Sequence, residues 1–217
     1  MSSLTLIIGN KNYSSWSLRP WYLLKQFDVA FNEIRVPLFT EQTPAQLSPY
    51  FSNNKVPVLK DGELLVWDTL AIMEYVNERY LDGKAWPDDA AARAWARSYS
   101  AEMHASFAAL RNALPMNCRK HFPQYPLTKD VQKDVVRISA LWAASRERYG
   151  DSGPWLFGSY SIADAMFAPV VLRFSGYDVA LDEMAQAYVK HVLKQPAIIE
   201  WVEAGKQETE IIEEDEV

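Results

Sequence analysis

Cysteine occurs once, at Cys118. A single thiol makes no internal disulfide, which excludes a disulfide-stapled fold. Histidine occurs three times, at the scattered positions His104, His121 and His191, with no HxH or HExxH spacing, so no metal site is expected. No run of about 18 apolar residues is present to cross a membrane. The N-terminus has no basic flank ahead of a long apolar stretch, so no secretory signal is expected and the cytoplasm is the expected location. Basic residues are in the minority, 22 Lys and Arg against 28 Asp and Glu, for a formal net charge of −6. Nucleic acid is therefore not the expected partner, because phosphate binding needs a basic face. Gly and Pro together are too few for a disordered chain.

What is present is 217 residues, 49% of them apolar, enough for one large domain or two small ones. Leu4–Gly9 is a short apolar run ending in glycine, the pattern of a buried strand. A polar loop follows, and then Leu18, Trp21, Leu24 and Phe27 step by three, predicting a helix over Ser17–Phe27 with Ser17 as N-cap and Pro20 at its third position. Phe31–Leu38 reads as a second strand, and Thr43–Leu47 as a helical turn. Val56–Leu59 and Leu64–Trp67 flank Asp61-Gly62, a hairpin signal. Asp68–Tyr80 has a helical pattern. The segment 82–89 (DGKAWPDD) is the expected linker between a mixed α/β unit, 1–81, and an all-helical unit, 90–217. Within the latter the spacing predicts one long helix over Ala90–Leu114, a proline-bearing loop, a second long helix over Lys129–Tyr149, and further helices over Ser161–Phe174, Leu181–Leu193 and Ala197–Glu203. Glu208–Glu216 is densely acidic and reads as a frayed, solvated end.

Four local features bear on chemistry. Tyr13-Ser14-Ser15-Trp16-Ser17-Leu18-Arg19 lies at the strand-to-helix loop. Its serines serve as turn formers and caps, but a hydroxyl beside the positive end of a helix also favours a thiolate over a thiol. Val56-Pro57 opens a strand. Asp68-Thr69 precedes a helix as a cap, and an acid beside helix N–H groups suits the paired charges of an α-amino acid. Ser161-x-x-Asp164 is a capping box and is assigned to folding.

In this order and spacing, the four features resemble the glutathione transferase family over essentially the whole chain, and the SSxSxR loop is most similar to the zeta class. The resemblance implies a thioredoxin-like domain (βαβ-α-ββα) followed by an all-α domain. It implies glutathione as co-substrate, a small electrophile or a cis double bond as its target, and a homodimer; Tyr50-Phe51 either docks into the partner subunit or covers the chain's own core. It assigns the sulfur to Ser14, the matching serine of zeta-like enzymes, ahead of Ser15, the matching position of other serine-type classes. It places glutathione against Trp16, Ser17, Lys55, the Val56 backbone beside a cis Pro57, Asp68 and Thr69. Asp68-Thr69 stands where the family more often has Glu-Ser. Trp16 replaces the loop cysteine of the zeta class, which counts against isomerase and disulfide-exchange chemistry. The electrophile is expected against Tyr13, Trp16, Met103, His104, Phe107 and Arg111. Met103, Phe107 and Arg111 are four apart and would share one helical face, which is also the ordinary pattern of a packing stripe. Arg111 on such a stripe needs a partner, so an anionic electrophile is one expectation. A non-catalytic binding or scaffold protein on the same fold is the alternative.

Overall fold

The computed structural model describes residues 4–217. Four short strands, β1 (Thr5–Ile8), β2 (Asn32–Arg35), β3 (Val58–Asp61) and β4 (Leu64–Trp67), form one sheet in the order β2-β1-β3-β4. β1 pairs parallel with β2, Ile7 opposite Ile34, and antiparallel with β3, Leu6 opposite Leu59. β3 and β4 form the hairpin predicted at Asp61-Gly62, where Gly62 takes φ 59°, a conformation glycine adopts without steric cost. The period-two alternation of β1 divides its side chains. Leu6 and Ile8 enter the large core, whereas Ile7 joins Val36, Leu47 and Val58 in a small core on the other face. β2 is shorter than predicted and exposed along its length.

The helices are α1 (Ser15–Gln26), α2 (Thr43–Leu47), α3 (Thr69–Tyr80), α4 (Ala90–Ala105), α5 (Ala108–Ala113), α6 (Lys129–Tyr149), α7 (Ile162–Gly176), α8 (Glu183–Leu193) and α9 (Pro196–Gln207). The architecture is therefore a thioredoxin-like βαβ-α-ββα unit followed by a helical one. α7 is buried nearly all round, between α1, α4 and α8. Its start is fixed by the predicted capping box: Asp164 accepts from the Ser161 N–H at 2.9 Å, and also from the Leu156 N–H and the Tyr188 hydroxyl, each at 3.0 Å. In the segment 82–89, Ala85 and Trp86 are buried, and the Ala85 carbonyl receives the Ile162 N–H, so this stretch is packed against α7.

Three expectations need correction. α1 begins at Ser15, and its N-cap is Ser14, not Ser17, which places Pro20 at the sixth helical position. The helix expected over Ala90–Leu114 is broken at Ser106–Phe107, where Phe107 has φ 62°. One tertiary and one local partner hold the break open. The Asp134 carboxylate of α6 accepts from the Leu110 N–H at 2.9 Å, and the Arg111 guanidinium donates to the His104 carbonyl, which the break deprives of its helical donor. Met103, Phe107 and Arg111 therefore do not share a single helical face. The acidic tail, finally, is not frayed. Glu208, Glu210 and Glu216 are paired with Arg35, Arg119 and Lys120, and Ile212 is buried.

Candidate functional site

The site is built around the first turn of α1. Pro20 lacks the N–H that would bond the Trp16 carbonyl, and the Thr69 hydroxyl at the start of α3 takes that carbonyl at 2.8 Å. This bond joins the N-termini of α1 and α3. Two positive helix ends are thus brought to one place, although Ser14 and Asp68 cap part of their N–H groups.

Ser14 and Ser15 are both nearly buried, with different surroundings. Ser14 Oγ donates to Ser17 Oγ at 2.8 Å and accepts from the Ser17 N–H at 3.4 Å, so its hydrogen is committed to the cap. Ser17 Oγ in turn accepts from the Gly9 N–H, and Ser17 is fully enclosed. Ser15 Oγ accepts from Arg173 Nη2 at 3.3 Å, and its hydrogen has no acceptor among the described residues. An oxygen held by a guanidinium, with its hydrogen free, is the better donor to an incoming anion.

Trp16 is the hub. The Arg19 guanidinium lies 4.4 Å from its ring centre and the Arg111 guanidinium 5.3 Å, while His104 meets it edge-on at 5.3 Å. Arg19 is buried. Its Nε donates to the Met166 carbonyl of α7 at 2.9 Å, and its Nη1 has no hydrogen-bond partner among the described residues. Arg173 donates from Nη1 to the carbonyls of Arg111 and Leu114 at the end of α5, which suits the negative end of that helix. Burial, with Arg173 and Arg111 nearby, brings Arg19 down to about 9, and burial brings Arg173 down to about 10. Burial also lowers Arg111. All three stay cationic at neutral pH, so the α1 N-terminus sits in a positive field.

The remaining predicted residues divide by position. Asp68, at φ 74°, caps α3 through Oδ1, which accepts from the Leu70 and Ala71 N–H groups. Its Oδ2 lies 3.3 Å from His104 Nε2. Val56-Pro57 is cis, at the start of the β3 hairpin, and Lys55 is exposed beside it. Met103 and Phe107 are core residues. Tyr13 turns its hydroxyl to the tail, donating to Glu216 Oε1 at 2.6 Å and accepting from Arg119 Nη2. Sequence reasoning named Arg19 in the loop motif without giving it a role, and missed Arg173. The signal was available for Arg173, an arginine inside the apolar run of α7, by the same reasoning applied to Arg111.

Residues 13–79 match the family profile described as "Glutathione S-transferase, N-terminal domain". The solved structure of a glutathione transferase homolog from Burkholderia with bound glutathione superposes with a TM-score of 0.69, at 21% identity, over 94% of this chain and 98% of that one. The fold is that of the glutathione transferases. Among curated proteins, the dichloromethane dehalogenase of Methylorubrum extorquens is 38% identical over 63 residues, 28% of this chain and 22% of that protein. Glutathione S-transferase F14 of Arabidopsis thaliana is 29% identical over 171 residues, 74% of this chain and 61% of that protein. The matched regions thus span less than two thirds of either relative. In the glutathione transferase fold the segment matched by the profile holds the α1 N-terminus, Val56-Pro57 and the α3 N-terminus, all described above.

Proposed function

We propose that this protein is a glutathione transferase of the serine type, with the SSxSxR loop of a zeta-like enzyme and Ser15 as the hydroxyl that holds the sulfur. The observation that carries the reading is the uncommitted Ser15 hydrogen at the first position of α1, on an oxygen already held by Arg173. A thiol brought to that point loses its proton more easily, because the donor, the helix end and three guanidinium groups all favour the anion. The thiolate then attacks a small electrophile without a dedicated base.

Residues 1–81 serve as the glutathione-binding unit and 90–217 supply the electrophile side. Asp68 Oδ2 receives the γ-glutamyl ammonium, the Thr69 N–H its carboxylate (Asp68 Oδ1 already takes the N–H groups of Leu70 and Ala71), the Val56 backbone the cysteinyl part and Lys55 the glycyl carboxylate. Thr69 contributes through its backbone, since its hydroxyl is spent on Trp16. Trp16, His104 and Arg111 form the electrophile wall. Arg111 makes an anionic electrophile the favoured class. The protein works as a homodimer in the cytoplasm, in detoxification chemistry, with exposed Phe51 as the docking residue.

Calorimetric titration of glutathione into the wild-type protein tests the reading. Saturable binding supports it, and no binding at millimolar glutathione ends it. Arg111→Ala is expected to raise KM for a carboxylate-bearing electrophile about tenfold over that for its neutral counterpart, the loss of one charge-assisted contact. An unchanged KM ratio removes Arg111 from that role.

A further inference from the structure

The loop that delivers Ser14 and Ser15 is held from the far end of the chain. Both oxygens of Glu208 are used: Oε1 accepts from the Lys11 N–H at 2.8 Å and Oε2 from the Asn12 N–H at 3.0 Å. These two peptides enter the turn in which the Asn10 carbonyl receives the N–H groups of Tyr13 and Ser14. Ser14 then caps α1, so the direction of the Ser15 hydroxyl follows from the setting of that turn. Two further observations point the same way. Gly205, at the end of α9, lies so close that a Cβ there would stand 3.0 Å from the Asn12 nitrogen. The loop 117–120 grips both partners. Asn12 Oδ1 accepts from the N–H groups of Cys118 and Arg119, while Asn117 Nδ2 and Lys120 Nζ hold Glu216, whose Oε1 receives the Tyr13 hydroxyl. Arg35 faces Glu208 at 3.5 Å and Glu210 at 2.8 Å.

We infer that Glu208 is a positioning residue for the candidate hydroxyl, and that the segment 208–216 is a polar strap completing the site loop. Its role in catalysis rests on the glutathione reading above; its hold on the loop does not. The strap holds the loop through hydrogen bonds and ion pairs, with Ile212 buried beside them. A buried pair of N–H groups that loses its acceptor opens to solvent more often, and the turn it sets becomes looser.

Hydrogen–deuterium exchange of the full-length protein, without glutathione, reads the hold directly. In Glu208→Ala the amides of residues 11–17 are expected to exchange about thirtyfold faster, the loss of the net contribution of two hydrogen bonds, with α6 and α7 unchanged. Glu208→Asp, which keeps the carboxylate, is expected to recover part of the protection. Unchanged exchange at 11–17 in Glu208→Ala overturns the inference. The catalytic half is read by the pH dependence of thiolate absorbance in bound glutathione. A thiol pKa raised in Glu208→Ala and partly restored in Glu208→Asp supports the positioning role. A loosened loop with an unchanged thiol pKa overturns that role. If wild type binds no glutathione, the function reading fails while the exchange result still decides the hold.

Discussion

Ser14 and Ser15 carry the same group and differ only in what surrounds it. Ser17 takes the Ser14 hydrogen, and Arg173 leaves the Ser15 hydrogen free. The sequence shows both hydroxyls but not their partners, because Arg173 lies 158 residues away. The same holds for Cys118. Burial, with Glu208 nearby, pushes its thiol up to about 12, and Sγ faces the Lys11 carbonyl at 3.6 Å. A disulfide reagent is expected to leave Cys118 unmodified in the native protein at pH 8 and to titrate one equivalent in denaturant, because the native thiolate fraction is lower by about three orders of magnitude. Rapid native labelling would contradict this.

At the scale of elements, the strands of the hairpin, α3 and α6 were legible in periodicity and turn residues, and α6 runs over Lys129–Tyr149 as the spacing predicts. The break between α4 and α5 was not legible. No glycine or proline marks it, and it is held by Asp134 of α6 from outside the local sequence and by Arg111 from within α5. The joint between α1 and α3 offers a test. Thr69→Val leaves the Trp16 carbonyl without a donor and is expected to cost about 1–3 kcal/mol. With Pro20→Ala as well, the helix supplies the missing N–H, so the double variant is expected to lose less than the two single losses summed. Strict additivity in urea unfolding would contradict that account. α7 gives a pH test. Burial raises the Asp164 carboxyl to about 6, against the ordinary 3.8, opposed by its hydrogen bonds from Leu156, Ser161 and Tyr188. The folded state holds this proton more tightly than the unfolded one. The resulting stability is full below about pH 4 and is lost as pH rises through about 6, a change of about 3 kcal/mol. Asp164→Asn is expected to start lower but to show a smaller fall in Tm between pH 4.5 and 7.5. Parallel curves would refute the assignment.

At the scale of the whole molecule, the two-part order of a mixed sheet and then helices follows from where strand patterns stop, near Asp82. The packing of the acidic tail does not follow from composition, since six acids in nine residues read as solvated. Its cradle comes from Arg35, Arg119, Lys120 and two backbone N–H groups, positions remote in sequence. Phe51, 77% exposed, meets the exposed Trp67 edge-on at 5.6 Å on the sheet unit. Phe51→Ala is expected to shift a dimer toward monomer in sedimentation at micromolar concentration, and an unchanged mass would remove Phe51 from the interface.

The proposed chemistry depends on one hydroxyl, that of Ser15. The ultraviolet absorbance of bound glutathione thiolate against pH, in wild type, Ser14→Ala and Ser15→Ala, tests it most directly. The account predicts thiolate near neutral pH in wild type, glutathione bound but with its thiol pKa raised by about one to two units in Ser15→Ala, and a smaller change in Ser14→Ala. Thiolate that survives in Ser15→Ala and disappears in Ser14→Ala would contradict it.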